Sequence, residues 1–333
     1  MAKAKKITKQ VYLQWYEDML FWRRFENKAS ALYIQQKIRG FLHLYNGQEG
    51  VLAGSIFAMQ ENDRMITAYR NHVHPIGLGV EPKYIMAELM GKRVGCSHGN
   101  GGSMHMFSKE HNFFGGHGIV GGQIPLGAGL AFADKYLERD SVTLCYMGDG
   151  AVRQGSFHET LNLAMLWDLP VVFIIENNGY AMGTSVQRTS KEHELYKLGL
   201  GFNMSCDYFD GMNPVTTYKA VNEAMHYARS GKGPVLLEAR TYRYKGHSMS
   251  DAQPYRTKDE VKEYEDKDPI TIVQNIILDK EYATQKELDE IDDRVKKGVN
   301  DCVKFADKAD FPEPDDLYKD AYKQEDYPFI NTH

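Results

Sequence analysis

Two polar residues lie two or three positions after two apolar segments that predict buried strands. Asp149 follows the segment 142–147 (VTLCYM), and Asn178 follows the segment 171–175 (VVFII). Between them, apolar residues at helical spacing predict a helix over 155–167. Strand, helix and strand form a βαβ unit, whose parallel strands end at one edge of a sheet. We therefore expect Asp149 and Asn178 to face each other at that edge.

Oxygen ligands in small number are typical of Mg²⁺, which completes its coordination with phosphate and water. Gly150 and Ala151 follow Asp149 and would open the helix, so that their amides could bind the same anion. Taken separately, Asp-Gly is an ordinary turn and Asn-Asn an ordinary end of a strand. Together, at the two ends of one crossover, they predict a site for a metal-bound phosphate.

The surrounding sequence predicts the elements that must position these residues. Glycine-rich segments occupy 40–122, and the later part adds a helix at 218–230 and a strand at 234–241. The fold class is therefore α/β, with a mainly parallel sheet and helices on both faces. The first 40 residues predict a long helix whose apolar positions recur at helical spacing: Trp15, Met19, Trp22, Ala29 and Leu32.

We interpret residues 1–333 as a single domain with two helical extensions, at about 1–40 and about 258–333. Within the second extension, the charged segment 286–297 indicates a solvated helix face. The tail 311–333 has no clear periodicity, so packing on a partner and packing along its own body both remain open.

Composition excludes several classes of protein. The chain has 333 residues and a formal net charge of −5, which gives it no general attraction to nucleic acid or to an anionic membrane. The beginning of the sequence lacks the apolar stretch of a signal peptide, and no segment has a transmembrane composition. The four cysteines form no CxxC pair, which argues against a zinc knuckle. We expect a soluble cytoplasmic protein.

Several segments together resemble one enzyme family. GDG at 148–150 followed by NN at 177–178 resembles the thiamine-diphosphate motif. The segments that follow are similar to the alpha subunit of the decarboxylating component of 2-oxo-acid dehydrogenase complexes, most closely its pyruvate branch: FLHLYNGQEG (41–50), TAYRNH (67–72), GKRVGCSHGNGGSMHMF (91–107), GIVGGQIPLGAG (118–129) and RTYRYKGHSMSDAQPYRT (240–257). The resemblance implies a thiamine-diphosphate-binding fold.

The resemblance also implies roles for individual residues. Asp149, Asn178 and the main-chain oxygen of Tyr180 would bind Mg²⁺, which bridges the diphosphate of thiamine diphosphate. Tyr69 and Arg70 would bind the diphosphate, since a guanidinium suits paired phosphate oxygens.

Two further pairs of residues would lie around the rest of the cofactor. Gly118 and Val120 would approach the aminopyrimidine with main chain. His43 and His247 would line the mouth of the site, where an imidazole that titrates near neutrality can transfer protons; His247 would also contact the cofactor.

The implied activity is the oxidative decarboxylation of pyruvate, with reductive acetylation of a lipoyl group on an acyltransferase component. In the family, the glutamate that activates the cofactor lies on a beta subunit, and we find no second half of the site in this chain. We therefore expect a heterotetramer of two alpha and two beta subunits, with this chain inactive alone.

The segment 243–256 would form a mobile loop over the site that orders when cofactor binds. Ser248 stands where animal relatives are phosphorylated, but this sequence is one residue shorter beside Pro254 and lacks a second serine. We therefore expect Ser248 to supply a hydroxyl beside His247 rather than a regulatory site.

Three alternatives remain open. Residues 116–121 also fit GxGxxG, the signature of an NAD-dependent dehydrogenase, although HNFF precedes it rather than a clear strand and Asp140 comes before the next strand. A scaffold subunit without activity is a second alternative. Within the family, acetoin dehydrogenase and branched-chain 2-oxo-acid dehydrogenase alpha subunits are the third.

Overall fold

A parallel sheet lies at the centre of the computed structural model, which describes residues 5–319. The strands are β1 (Arg64–Ala68), β2 (Phe113–His117), β3 (Thr143–Gly148), β4 (Val171–Asn177), β5 (Tyr180–Ala181), β6 (Thr184–Ser185), β7 (Ser205–Asp210) and β8 (Val235–Arg240). Six of them pair in parallel in the order β2-β1-β3-β4-β8-β7, while β5 and β6 form a small antiparallel hairpin. The prediction of a mainly parallel sheet is confirmed.

Helices surround the sheet and continue beyond it. They are α1 (Lys9–Ile34), α2 (Glu49–Ala58), α3 (Val73–Gly77), α4 (Pro82–Leu89), α5 (Gln123–Tyr136), α6 (Gly155–Leu166), α7 (Val186–Thr189), α8 (Pro214–Tyr227), α9 (Lys258–Glu265), α10 (Pro269–Asp279) and α11 (Gln285–Lys308). Within residues 5–319, no helix is both long enough and apolar enough to cross a membrane.

The side chains of β3 show why helices cover both faces of the sheet. Successive residues of a strand point to opposite faces. Leu144 and Tyr146 join a core with residues of α1, α2 and α8, whereas Cys145 and Met147 join a second core with residues of α5 and α6. All four are fully buried, so the strand requires cover on each side.

The predicted bounds hold within a few residues wherever a core strand or an amphipathic helix is involved. The first helix is shorter than the 40 residues predicted, since α1 covers Lys9–Ile34, and α8 begins at Pro214 rather than 218. Asn213 explains the earlier start, because its side chain accepts a hydrogen bond from Val215 N and Pro214 occupies the first turn. The helix ends at Tyr227, before Gly231, whose φ of 77° is not helical.

The strands β1, β2 and β7 are absent from the sequence interpretation. β1 and β2 have five residues each and lie in the glycine-rich part, where short apolar runs give little signal. β7 lies at the edge of the sheet and buries only Phe209 well. An edge strand of this kind lacks the continuous apolar run that identifies a central one.

The extensions pack on the rest of the chain. α1 contacts α2, α10 and α11, and all five of its predicted core residues are buried. The charged residues of 286–297 form the solvated face of α11, as predicted, while Leu288 and Val295 are buried on its other face. In the tail, Arg93 binds Asp316, so its described part packs along the chain's own body. Residues 320–333 lie outside the described residues.

Candidate functional site

A cavity of about 600 Å³ opens where β1, β3 and β4 end. In open parallel sheets, ligands bind beyond the carboxyl ends of the strands. All eleven residues singled out from the sequence line this one cavity: His43, Tyr69, Arg70, Gly118, Val120, Asp149, Gly150, Ala151, Asn178, Tyr180 and His247. The fold therefore brings together residues from six separate segments of the chain.

Asp149 and Asn178 occupy neighbouring positions at the end of the sheet. Each directly follows its strand, and the strands pair in register as far as Gly148 and Glu176. Asn178 Nδ2 donates to Gln48 Oε1 at 2.9 Å, and Asn178 Oδ1 accepts a hydrogen bond from Tyr180 N at 3.4 Å, so the orientation of the amide is fixed. Both residues line the same cavity, and their role as metal ligands stays a prediction.

A cation already contacts two of the three oxygens expected to bind a metal. Arg243 Nη1 lies 3.5 Å from Asn178 Oδ1 and 3.3 Å from the main-chain oxygen of Tyr180. These atoms therefore form a patch of negative potential, which fits a cation. Asp149 adds a carboxylate that makes no side-chain hydrogen bond to another residue of the described chain. The donor set suits Mg²⁺.

Burial raises the pKa of Asp149 to about 6, and the nearby cations Arg243, Arg153 and Arg70 act in the opposite direction. The carboxyl is 5% exposed, so its charged form loses most of its hydration. A divalent cation in contact with the carboxylate would favour the ionised form. The environment of Asp149 is therefore one in which ion binding and deprotonation go together.

Arg70 is buried beside the cavity with its charge directed by main-chain oxygens. Its guanidinium donates to Leu44 O at 2.5 Å and to His247 O at 2.9 Å. Burial and the positive charge of Arg243 lower the pKa of Arg70 to about 10, so it remains a cation at neutral pH. A buried cation without a carboxylate partner is suited to an anionic ligand.

The rings of His43, Tyr69 and His247 form a cluster in the lining of the cavity. The His43 and His247 centroids are 5.2 Å apart, and Tyr69 lies 4.6 Å from His43 and 5.6 Å from His247. His43 Nδ1 is buried without a hydrogen-bond partner among the described residues. A polar atom of this kind is free to bind a ligand.

The expectation that both imidazoles titrate near neutrality is wrong for the chain by itself. Burial, with the charges of Arg70 and other cations, lowers the pKa of His43 to about 3. Burial and the cations Arg70 and Arg243 lower the pKa of His247 to about 4. Both rings are therefore neutral at pH 7, and an anion that neutralised the arginines would raise both pKa values.

Two glycines of the cavity are places of close approach. A Cβ on Gly150 would lie 2.7 Å from Ala181 Cβ, which excludes a side chain without a shift of the main chain. A Cβ on Gly118 would lie 3.1 Å from the His105 ring. The expectation that Gly150 and Ala151 open α6 is wrong. Gly150 precedes a 3₁₀ turn at Ala151–Arg153, and α6 begins at Gly155.

Several lining residues were not singled out from the sequence. Arg243 is the most informative of them, and the signal that could have found it is its position in the segment 240–257. Glu176 is 6% exposed and accepts a hydrogen bond from Tyr45 OH, and its burial raises the pKa of Glu176 to about 7. Gln48 orients Asn178, as described above.

The segment 243–256 is tied together by internal hydrogen bonds. Asp251 accepts from His247 N at 2.7 Å, from Gln253 N at 2.8 Å and from Tyr255 OH at 2.5 Å. Arg256 donates to the main-chain oxygens of residues 243–245. Asp251 thereby fixes the position of His247 relative to the cavity.

The GxGxxG segment needs one correction. A strand, β2, does precede Gly118, contrary to the expectation from HNFF. The remaining argument still excludes a dinucleotide site, because Asp140 precedes β3 and no acid ends a neighbouring strand at the required distance. The segment instead lines the cavity through Gly118, Val120 and Gly121.

Residues 5–319 contain no cluster of three or more His, Cys, Asp or Glu side chains that could hold a metal ion. The four cysteines are free thiols. A metal at this site would therefore depend on the mixed set of one carboxylate, one amide and one main-chain oxygen.

Comparison with known proteins identifies the family. The profile described as "Dehydrogenase E1 component" matches residues 17–315. A Rickettsia felis protein named "Pyruvate dehydrogenase E1 component subunit alpha" is 48% identical over 320 residues, covering 96% of this chain and 98% of that protein. A Rhizobium meliloti protein of the same name is 49% identical over 316 residues, covering 95% and 91%. A chloroplastic "subunit alpha-3" from Oryza sativa is 41% identical over 330 residues, covering 96% and 78%. The chain belongs to the dehydrogenase E1 component family.

Proposed function

We propose that this chain is the alpha subunit of a pyruvate dehydrogenase that uses thiamine diphosphate and Mg²⁺. Its reaction is the oxidative decarboxylation of pyruvate with reductive acetylation of a lipoyl group. The observation that supports this most strongly is the convergence of eleven expected residues on one cavity in a chain of this family. Relatives that match along nearly their whole length are named for pyruvate.

In this proposal Asp149, Asn178 and the main-chain oxygen of Tyr180 hold Mg²⁺. Tyr69 and Arg70 bind the diphosphate, and the buried guanidinium of Arg70 provides a fixed positive charge for it. Thiamine diphosphate, when bound, supplies the electron sink that decarboxylation of a 2-oxo acid requires.

The remaining residues shape the site and move protons. The main chain at Gly118 and Val120 would approach the aminopyrimidine, where a side chain at position 118 would obstruct it, and the amides of Gly150 and Ala151 would bind the diphosphate. His43 and His247 line the cavity as neutral rings, and each can accept a proton on a ring nitrogen. An anionic diphosphate beside Arg70 raises the pKa of both rings toward neutrality, the range in which a proton is readily exchanged.

The proposal includes a beta subunit and a lipoyl-bearing acyltransferase as partners, in an assembly of two alpha and two beta subunits. Support comes from a contiguous apolar surface on α5 and α6, which no described part of the chain covers. The ring centroids of Phe132 and Trp167 are 5.3 Å apart on this surface, and Leu166 is 69% exposed. Large exposed apolar patches of this kind mark protein interfaces.

We place the enzyme in the cytoplasm, and we treat 1–333 as one domain with two extensions.

Coexpression with candidate beta subunits tests the proposal. The purified assembly is assayed with an artificial electron acceptor on pyruvate, branched 2-oxo acids and acetoin, each with and without thiamine diphosphate and Mg²⁺. We expect turnover of pyruvate that depends on both. Preference for acetoin or branched 2-oxo acids would instead assign the chain to those branches, and tight NADH binding without any response to thiamine diphosphate would overturn the proposal.

A further inference from the structure

A buried chain of hydrogen bonds lies behind the cavity, formed by three residues that are distant in sequence. Glu26 Oε2 bonds His72 Nδ1 at 2.8 Å, and His72 Nε2 bonds Ser103 Oγ at 2.7 Å. The three residues are 1%, 0% and 7% exposed. They come from α1, from the segment after β1 and from the end of the glycine-rich loop.

Glu26 and Ser103, at the two ends of this hydrogen-bond network, both bind the main chain of residues 43–45. Glu26 Oε1 accepts from Tyr45 N at 3.0 Å, and Ser103 Oγ accepts from His43 N at 3.4 Å. Between them, Leu44 O accepts from Arg70. Residues 43–45 are thus held through their amides by Ser103 and Glu26, and through Leu44 O by the guanidinium of Arg70.

The order serine, histidine and carboxylate is also the order of a hydrolase triad, but the surroundings differ. Ser103 does not line the cavity, and its hydroxyl already has two partners. A neutral imidazole with its proton on Nδ1 satisfies every group: Ser103 donates to His72, His72 donates to Glu26, and the amides of His43 and Tyr45 donate to the two ends. A hydrolase triad has the same order of hydrogen bonds, so the difference lies in access: Ser103 is buried and does not line the cavity, where a substrate would bind.

A second contact reinforces the arrangement. Asn71 Nδ2 donates to Ser103 O and to Tyr69 O, each at 2.9 Å. The segment that contains Tyr69 and Arg70 is therefore joined to the glycine-rich loop by both main chain and side chain.

We propose that the Glu26–His72–Ser103 chain is a positioning network that fixes His43, Leu44 and Arg70 for the diphosphate. This rests on the proposed function, because it assigns Arg70 and Tyr69 to the diphosphate. The network acts through main chain: when the position of residues 43–45 changes, Leu44 O moves and the guanidinium of Arg70 moves with it. None of the three residues touches the cofactor site itself.

The test uses Ser103→Ala in the assembled enzyme, with Ser103→Thr as the variant that keeps the hydroxyl. We expect the dissociation constant for thiamine diphosphate with Mg²⁺, measured by calorimetry, to rise about tenfold in Ser103→Ala, since loss of a buried partner has an effect of that order. Turnover at saturating cofactor changes much less, and Ser103→Thr recovers most of the affinity. Because Ser103 and Glu26 act through one network, we expect the double variant Ser103→Ala with Glu26→Gln to raise the dissociation constant by less than the product of the two single increases.

Ser55→Ala is the matched control, because Ser55 is also buried and its hydroxyl donates to Val51 O at 2.7 Å within α2. Amide hydrogen exchange provides a readout that needs no cofactor: the His43 and Tyr45 amides exchange about tenfold faster in Ser103→Ala while the central strands keep their protection.

Unchanged exchange at His43 and Tyr45, or equal loss of cofactor affinity in Ser55→Ala, overturns the positioning network. If the parent enzyme failed to bind thiamine diphosphate, the proposed function would fall, and the exchange measurement would still decide whether the network holds this segment.

Discussion

At the scale of single residues, the cavity has more positive than negative charge. Arg70 and Arg243 line it and Arg153 lies close enough to affect Asp149, while Asp149 and Glu176 have raised pKa values because they are buried. Such a balance favours an anionic ligand, and a cation beside the buried carboxyl groups would stabilise their ionised forms. The site is therefore suited to a metal and a diphosphate that arrive together.

Replacing Asp149 tests this directly. We expect Asp149→Ala to weaken Mg²⁺-dependent binding of thiamine diphosphate on the order of a hundredfold, because the only carboxylate of the donor set is lost. Isothermal calorimetry on the assembled enzyme measures it. Asp140→Ala is the control, since Asp140 lies before the other end of β3 with its side chain 74% exposed. Unchanged binding in Asp149→Ala would contradict the metal assignment.

At the scale of elements, α5 connects the cavity to the surface. Its first turn supplies Gln123 to the cavity, and one face packs on the sheet while Leu126 is 51% exposed. Two glycines of the helix stand in opposite surroundings. A Cβ on Gly127 would meet Cys145 Sγ at 2.8 Å, whereas a Cβ on Gly129 meets nothing within 4 Å.

Alanine at each position therefore has an opposite effect on the stability of the purified chain. Gly129→Ala stabilises it by about 1 kcal/mol, because alanine loses less main-chain entropy than glycine when the unfolded chain forms the helix. Gly127→Ala destabilises it by about 1–3 kcal/mol through overpacking against β3. Urea unfolding of the two variants beside the parent chain measures both. Equal effects would show that α5 does not pack on the sheet as described.

At the scale of the whole molecule, the larger core encloses titratable groups that the site does not use. His74 is fully buried, with its ring packed edge-on against Tyr45 at 4.8 Å and Tyr146 at 5.5 Å. Burial and the nearby His72 lower the pKa of His74 to about 3. This part of the core therefore makes the stability of the chain sensitive to acid.

The sign follows from proton binding. Between pH 6.5 and about 3 the unfolded chain protonates His74 and the folded chain does not, so the free energy of unfolding falls as pH falls below 6.5. We expect His74→Phe to reduce the slope of this loss between pH 4 and 6 by about 1.4 kcal/mol per pH unit. Denaturant unfolding across that range measures it. Tyr146→Phe, beside His74, serves as control, and an equal slope in His74→Phe and the parent would refute the prediction.

The apolar surface of α5 and α6 is the second feature of the whole molecule. Tyr136 is 79% exposed and stacks on Phe132, which in turn contacts Trp167. A continuous apolar surface with several aromatic rings is typical of the buried core of an interface between subunits.

A charge at this surface should prevent assembly. We expect Leu166→Glu to abolish copurification with a coexpressed beta subunit, while the chain by itself keeps its fold because Leu166 is exposed. Ile34→Glu, at the exposed end of α1, is the matched control, with Ile34 74% exposed. Assembly of Leu166→Glu at the parent level, judged by size-exclusion chromatography, would place the interface elsewhere.

Much of the molecule could be predicted from the sequence, wherever the signal is local. The runs at 142–147 and 171–175 are apolar throughout because both faces of β3 and β4 are buried, and this made Asp149 and Asn178 recognisable as the residues that end them. The helices α1 and α6 were recognisable because one face of each is apolar. The division into one domain stays a prediction, as does the ordering of the loop 243–256.

Only the tertiary structure decided what depends on residues that are distant in sequence. It placed Arg243 on the oxygens of Asn178 and Tyr180, and it lowered the pKa of His43 and His247 below the neutral range. It also joined Glu26, His72 and Ser103 behind the cavity. The physical reason is common to all three: burial and the approach of charges are properties of the folded arrangement, whereas residue type and periodicity are properties of the chain.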